Sequence, residues 1–195
     1  MPFSLKARLN RYKLVALTWL LRRCAVADIG LFFGSDDGNT ESVANRIREQ
    51  LGEDRVDIYD VADVTQSEFT QYQKIILGIP TWDFGQLQSD WEEFWHDVLE
   101  LDFNGKTVAL FGLGDQFGYS DYFLDAMGML HDVIVANGAD IIGHWPTDGY
   151  DFDASKAEIK GKNLFVGLAI DEDQQEELTD ERISRWCAQI SKALR

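Results

Sequence analysis

The sequence is poor in cysteine, histidine and positive charge, and it has no long apolar run. Its two cysteines, Cys24 and Cys187, form no Cys-x-x-Cys pair. That excludes a disulfide scaffold, and two unpaired thiols in a reducing cytosol are expected. His96, His131 and His144 are scattered without metal-ligand spacing, so no metal site is expected. Lys and Arg number 18 against 34 Asp and Glu, a formal net charge of −16. So acidic a surface repels phosphate backbones, which excludes nucleic acid as a partner and steers the protein toward partners with basic faces. The apolar run Leu14–Leu21 falls well short of the roughly 20 residues that span a bilayer.

The charge is unevenly placed. Residues 1–25 hold six bases (Lys6, Arg8, Arg11, Lys13, Arg22 and Arg23) and no acid. The rest therefore carries 12 bases against 34 acids, a net −22. Residues 1–27 read as a basic extension outside the fold. Three readings stand for it: sequence upstream of a true start near Val26, an amphipathic helix for a membrane surface or partner, or a targeting segment with Ala25 and Ala27 at a cleavage site. Residues 28–195 read as one domain, since 195 residues suit a single core and 45% of them are hydrophobic.

From Asp28 onward strands and helices alternate. Ile29–Phe33 is a continuous apolar strand. Residues 40–51 follow as a helix with Val43, Ala44, Ile47 and Leu51 on one face. Strands are expected at Val56–Tyr59, Lys74–Ile79 and Thr107–Phe111, and a fifth starts at Ile141. Helices are expected over 88–100, over about 121–137 with Gly138 as C-cap, and over 180–194 with Thr179 or Asp180 as N-cap. A polar, aromatic stretch over about 145–163 interrupts the fifth strand. Strands apolar on both faces need helices on each side. The expected architecture is α/β: a doubly wound five-stranded parallel sheet, order 2-1-3-4-5, with helices on both faces. Ligands of such sheets bind at the carboxyl ends of the strands, near the switch in strand order.

The loops after strands one, three and four therefore carry the chemistry. The first runs Ser35-Asp36-Asp37-Gly38-Asn39-Thr40 into a helix. Small polar residues around a glycine let backbone N–H groups converge at a positive helix end, which cradles an anion. The same residues also favour an ordinary capping turn. No Lys follows and neither G-x-x-x-x-G-K-[ST] nor G-x-G-x-x-G stands here, so a triphosphate or dinucleotide site is excluded. The second loop runs Thr81-Trp82-Asp83-Phe84-Gly85 and the third Leu113-Gly114-Asp115 through Tyr119 to Asp121. Trp82 and Tyr119 are candidates for stacking on a planar ligand. Each could equally be a core side chain.

One anion cradle and two aromatic loops suit a phosphorylated planar heterocycle. The segments Gly30–Thr40, Pro80–Gly85 and Gly112–Tyr119, with Leu168–Gln174 and Leu178–Ile183, resemble the flavodoxins, specifically the long-chain bacterial type. The resemblance covers 28–195, and the 145–163 interruption matches the long-chain insertion. It implies bound FMN. Ser35, Asp36, Asp37, Gly38, Asn39 and Thr40 would surround the phosphate. Trp82 and Tyr119 would stack on the two faces of the ring. Thr81, Asp83, Phe84 and Gly85 would lie by its N5 edge, and Leu113, Gly114 and Asp115 by its pyrimidine end, with Asp121 nearby. Asp173 is a candidate for the ribityl chain. The family usually has a hydroxyl residue where Asp37 stands. A carboxylate beside a phosphate is repulsive, so Asp37 is expected to point outward and cap the helix.

The resemblance further implies a cytoplasmic, monomeric, low-potential carrier of single electrons. Its donor would be an NADPH-dependent flavodoxin reductase, and its acceptors redox enzymes with basic faces. Two rivals of similar fold remain. An FMN-dependent NAD(P)H:quinone oxidoreductase would need an open ring face and a basic patch, against two stackers and an acidic body. A response-regulator receiver would use Asp36-Asp37, but no phosphoacceptor Asp ends strand three at Ile79-Pro80-Thr81.

Overall fold

The computed structural model describes residues 27–195. Within it β1 (Ile29–Phe33), β3 (Lys74–Trp82) and β5 (Thr107–Leu113) are the expected apolar strands. All of β1 is buried, as is β3 from Ile75 to Ile79 and β5 from Val108 to Leu113. β2 (Val56–Asp60) is half-buried beyond its first residue, as an edge strand should be. With β10 (Leu168–Ile170) the strands run in the order β10-β5-β3-β1-β2. All the pairings along that path are parallel. This is the expected order, with β10 completing the edge.

Right-handed crossovers fix the layers. The chain moves from β1 outward to β2, then returns past β1 to β3, and continues the other way to β5 and β10. α1 (Asn39–Leu51) therefore lies on one face, while α3 (Ser89–Glu100) and α4 (Asp125–Ala136) lie on the other. α5 (Thr179–Ile190) packs against α1, and α3 against α4. The direction reverses between β1 and β3, so a crevice opens there at the strands' carboxyl ends.

Several local expectations need correction. The fifth strand is two pieces: β6 (Asp140–Ile142) and β10 both pair with β5, at its beginning and its end. Between them β7 (Trp145–Pro146), β8 (Glu158–Ile159) and β9 (Leu164–Phe165) form a small antiparallel sheet in the order β7-β9-β8. β3 runs on to Trp82 and folds back into β4 (Gln86–Leu87) as a hairpin. A short helix, α2 (Gln66–Thr70), was not expected; it starts on a capping box between Thr65 and Glu68. The fourth helix begins at Asp125, after a separate turn over Ser120–Tyr122, because Leu124 sits at φ 61 and breaks the path. Asn137, followed by Gly138 at φ 97, ends it. α5 is capped by Leu178 without a side-chain hydrogen bond, and Thr179 is its first residue. Among the described residues Cys187 is free and buried; Cys24 and residues 1–26 of the basic extension lie outside them.

Candidate functional site

The first loop is held from below. Buried Gln88 caps α3 by accepting the Trp91 N–H at 3.2 Å, and its Nε2 donates to Asp36 Oδ1 at 3.0 Å. Ser89 Oγ donates to the same oxygen at 2.8 Å. Asp36 therefore ties the loop to α3. Ser35 Oγ accepts the Gly38 N–H at 3.0 Å, and Gly38 turns through φ 89 into α1. Asp37 Oδ1 accepts the Asn39 N–H and its Oδ2 accepts Asn39 Nδ2, both at 3.0 Å. Thr40 is fully buried, and its Oγ1 has no hydrogen-bond partner among the described residues.

The second loop is the β3–β4 hairpin. Asp83 at φ 44 and Gly85 at φ 86 close its tip. Thr81 Oγ1 accepts the Ala126 N–H at 3.2 Å, which fastens the hairpin to the start of α4. Phe84 stands out from the tip, 71% exposed, with its ring edge-on to Tyr119 and Tyr122.

The third loop turns around Asp115. Its Oδ1 accepts the N–H groups of Phe117 at 3.0 Å and Gly118 at 2.8 Å, and Gln174 Nε2 at 3.1 Å. Asp171, fully buried at the end of β10, is the hub below. Its Oδ2 accepts Gln116 N and Nε2, and its Oδ1 accepts the N–H groups of Asp173 and Gln174. Gln116 Oε1 in turn accepts the Asp151 N–H at 2.7 Å, linking the 145–163 excursion to the site. An acidic residue within an acidic run gave no sequence signal for this role.

These three loops and the end of β10 enclose an open cleft of ≈ 260 Å³ at the switch point. Of the predicted residues, Asp37, Asn39, Thr40, Thr81, Trp82, Asp83, Leu113, Gly114, Asp115, Tyr119 and Asp173 line it. Ser35, Asp36, Gly38, Phe84, Gly85 and Asp121 do not; the first three shape the cradle, the next two build the hairpin tip, and Asp121 lies in the turn over Ser120–Tyr122. Pro80 and Glu172 line the cleft and escaped the sequence reading. Both stand at carboxyl ends of strands, which is the signal that could have found them. Asp37 accepts hydrogen bonds at the helix start, as a cap would, and although exposed it also lines the cleft.

The cleft is both aromatic and acidic. Trp82 is 37% exposed and Tyr119 41%, too open for core side chains. Among the described residues no Lys or Arg lines it. The Asp173 carboxyl sits above the usual carboxylate range, first because it is partly withdrawn from water and then because Asp115, Asp171 and Asp37 crowd it. Negative charge brought into this space is therefore disfavoured.

The comparisons agree with this architecture. The flavodoxin family model matches residues 31–186. Flavodoxin 1 of Escherichia coli K12 is 52% identical over 169 residues, covering 87% of this chain and 96% of that protein. The flavodoxin of Haemophilus influenzae is 49% identical over 165 residues, covering 85% and 94%. Among solved structures, the Fusobacterium nucleatum flavodoxin bound to flavin mononucleotide superposes with a TM-score of 0.79 at 31% identity, covering 86% of this chain and 98% of that one. Oxidised flavodoxin 2 of Bacillus cereus gives 0.67 at 27% identity. The receiver alternative falls away. With its sheet order, its switch-point cleft and these matches, the chain belongs to the flavodoxin family.

Proposed function

We propose that the cleft holds FMN and that the protein is an electron carrier rather than an enzyme, passing single electrons between a reductase and acceptor proteins. The observation that carries this reading is the shape of the cleft. Two exposed aromatic side chains, Trp82 and Tyr119, line a space whose other end meets the start of α1 and an unpartnered, fully buried hydroxyl on Thr40. A buried hydroxyl without a partner costs about 1–3 kcal/mol. A phosphate oxygen accepting from it would remove that cost, so the residues fit the group.

FMN supplies the redox chemistry when bound. The chain's residues do the rest. Trp82 and Tyr119 would cover the ring and keep water from it. Thr40 and the N–H groups at the start of α1 would take the phosphate. Asp115 and Asp173, with no Lys or Arg among the described residues lining the cleft, disfavour negative charge accumulating there. That makes the reduced carrier a strong donor. The donor we infer is an NADPH-dependent flavodoxin reductase, and the acceptors are redox enzymes with basic faces. We place the carrier in the cytoplasm as a monomer. Stepwise reduction of the reconstituted protein tests the reading. Two resolved one-electron steps are expected; a single two-electron step would point to the hydride chemistry of a quinone reductase.

A further inference from the structure

We propose that Asp37 is a built-in competitor for the phosphate position, and that it weakens this chain's grip on FMN. The inference rests on the FMN reading above. Asn39 is the first residue of α1, so its N–H is among the free donors that make a helix start attractive to anions. Here that donor is already taken. The Asp37 carboxylate binds it through one oxygen and the Asn39 side-chain amide through the other, each at 3.0 Å. The preceding N–H, on Gly38, is taken by Ser35 Oγ. The chain thus places one of its own anions where a ligand anion would dock.

A second feature shows that the cradle is built for an outside group. Thr40 follows Asn39, lines the same cleft and is fully buried, yet its hydroxyl has no partner among the described residues. Asp37 satisfies the neighbouring N–H but leaves Thr40 wanting. A phosphate entering to complete Thr40 must either displace the Asp37 carboxylate from Asn39 or settle beside it. Displacement breaks two hydrogen bonds, and settling beside it sets like charges together. Among the described residues no Lys or Arg lines the cleft to offset the charge. Asp37 itself is exposed, so its side chain can swing aside without moving the backbone. A hydroxyl residue at this position would carry no charge and could donate to the phosphate instead.

The test uses the full chain stripped of cofactor. It is titrated separately with FMN and with riboflavin, which has the same ring but no phosphate. Quenching of flavin fluorescence reports binding. Asp37→Thr is expected to bind FMN at least tenfold more tightly than the parent, about 1.4 kcal/mol, with riboflavin affinity unchanged. Asp37→Asn keeps the hydrogen-bonding shape and removes the charge, so its FMN affinity should fall between the two. If both variants bind FMN no more tightly than the parent while riboflavin is unchanged, Asp37 is only a helix cap and the inference fails. Equal gains for FMN and riboflavin would also overturn it, because the effect would not lie at the phosphate. If neither parent nor variants bind either flavin, the FMN reading itself fails.

Discussion

Gly85 is the point where the hairpin beneath Trp82 is most sensitive to a single methyl group. It sits at φ 86, and a Cβ there would come within 2.8 Å of Asp125 Oδ2. Asp125 cannot readily yield. It is 3% exposed, its Oδ2 pairs with Lys156 Nζ at 2.7 Å, and its Oδ1 accepts the Lys156 N–H at 2.8 Å. Gly85→Ala therefore carries two costs. The left-handed backbone costs about 1–2 kcal/mol for a residue with a Cβ. Disturbing the carboxylate's charge-assisted hydrogen bonds adds about 1.5–3 kcal/mol. A chain of this size loses roughly 2–4 °C of Tm per kcal/mol, so a drop of about 5–20 °C is expected. Gly149→Ala is the control: its φ is 90, but nothing lies within 4 Å of the added Cβ. It should show the backbone cost alone, a drop of about 2–8 °C. Thermal unfolding followed by circular dichroism measures both. If Gly85→Ala falls no further than Gly149→Ala, Asp125 does not brace the hairpin as described.

Trp82→Ala should weaken FMN binding by about tenfold, since a stacked aromatic contributes roughly 0.5–1.5 kcal/mol beyond the area it buries; an unchanged affinity in fluorescence titration would make Trp82 a strand residue and no more. Burial pushes the Cys187 thiol from 9.0 up to about 12 and the Tyr150 hydroxyl from 10.0 up to about 12. The folded state thus keeps protons that the unfolded chain releases above pH 9–10. That stabilisation is complete below pH 9 and is lost as pH rises toward 12, so urea midpoints should fall between pH 9 and 11; a flat profile would contradict it. Electron exchange with a basic reductase should slow as salt rises, because the acidic surface steers the encounter. Rates independent of ionic strength would remove that role.

The sheet was legible because its inner strands are buried on both faces and so carry unbroken apolar runs, as in Ile29–Phe33 and Val108–Phe111. α1 and α3 were legible through their apolar stripes. Period fails for short pieces. The two-residue strands β4, β7, β8 and β9 are set by partners distant in sequence rather than by their own pattern. α2 has five residues, and only its Thr65–Glu68 capping box could have marked it. In the site, residues with an unusual side chain in a loop, such as Trp82 and Tyr119, stood out. Asp171 did not, because its role depends on burial and four converging donors that come together only in the fold. Asp37 was legible as an oddity, but only the structure shows which N–H it holds.

FMN is proposed to sit in the switch-point cleft between Trp82 and Tyr119. Titration of the cofactor-free chain with FMN tests it most directly. Saturation at one FMN per chain is expected, with flavin and tryptophan fluorescence both quenched along the same curve. Flavin fluorescence that stays unquenched at stoichiometric protein, or quenching that persists in a Trp82→Ala, Tyr119→Ala double variant with undiminished affinity, would contradict it.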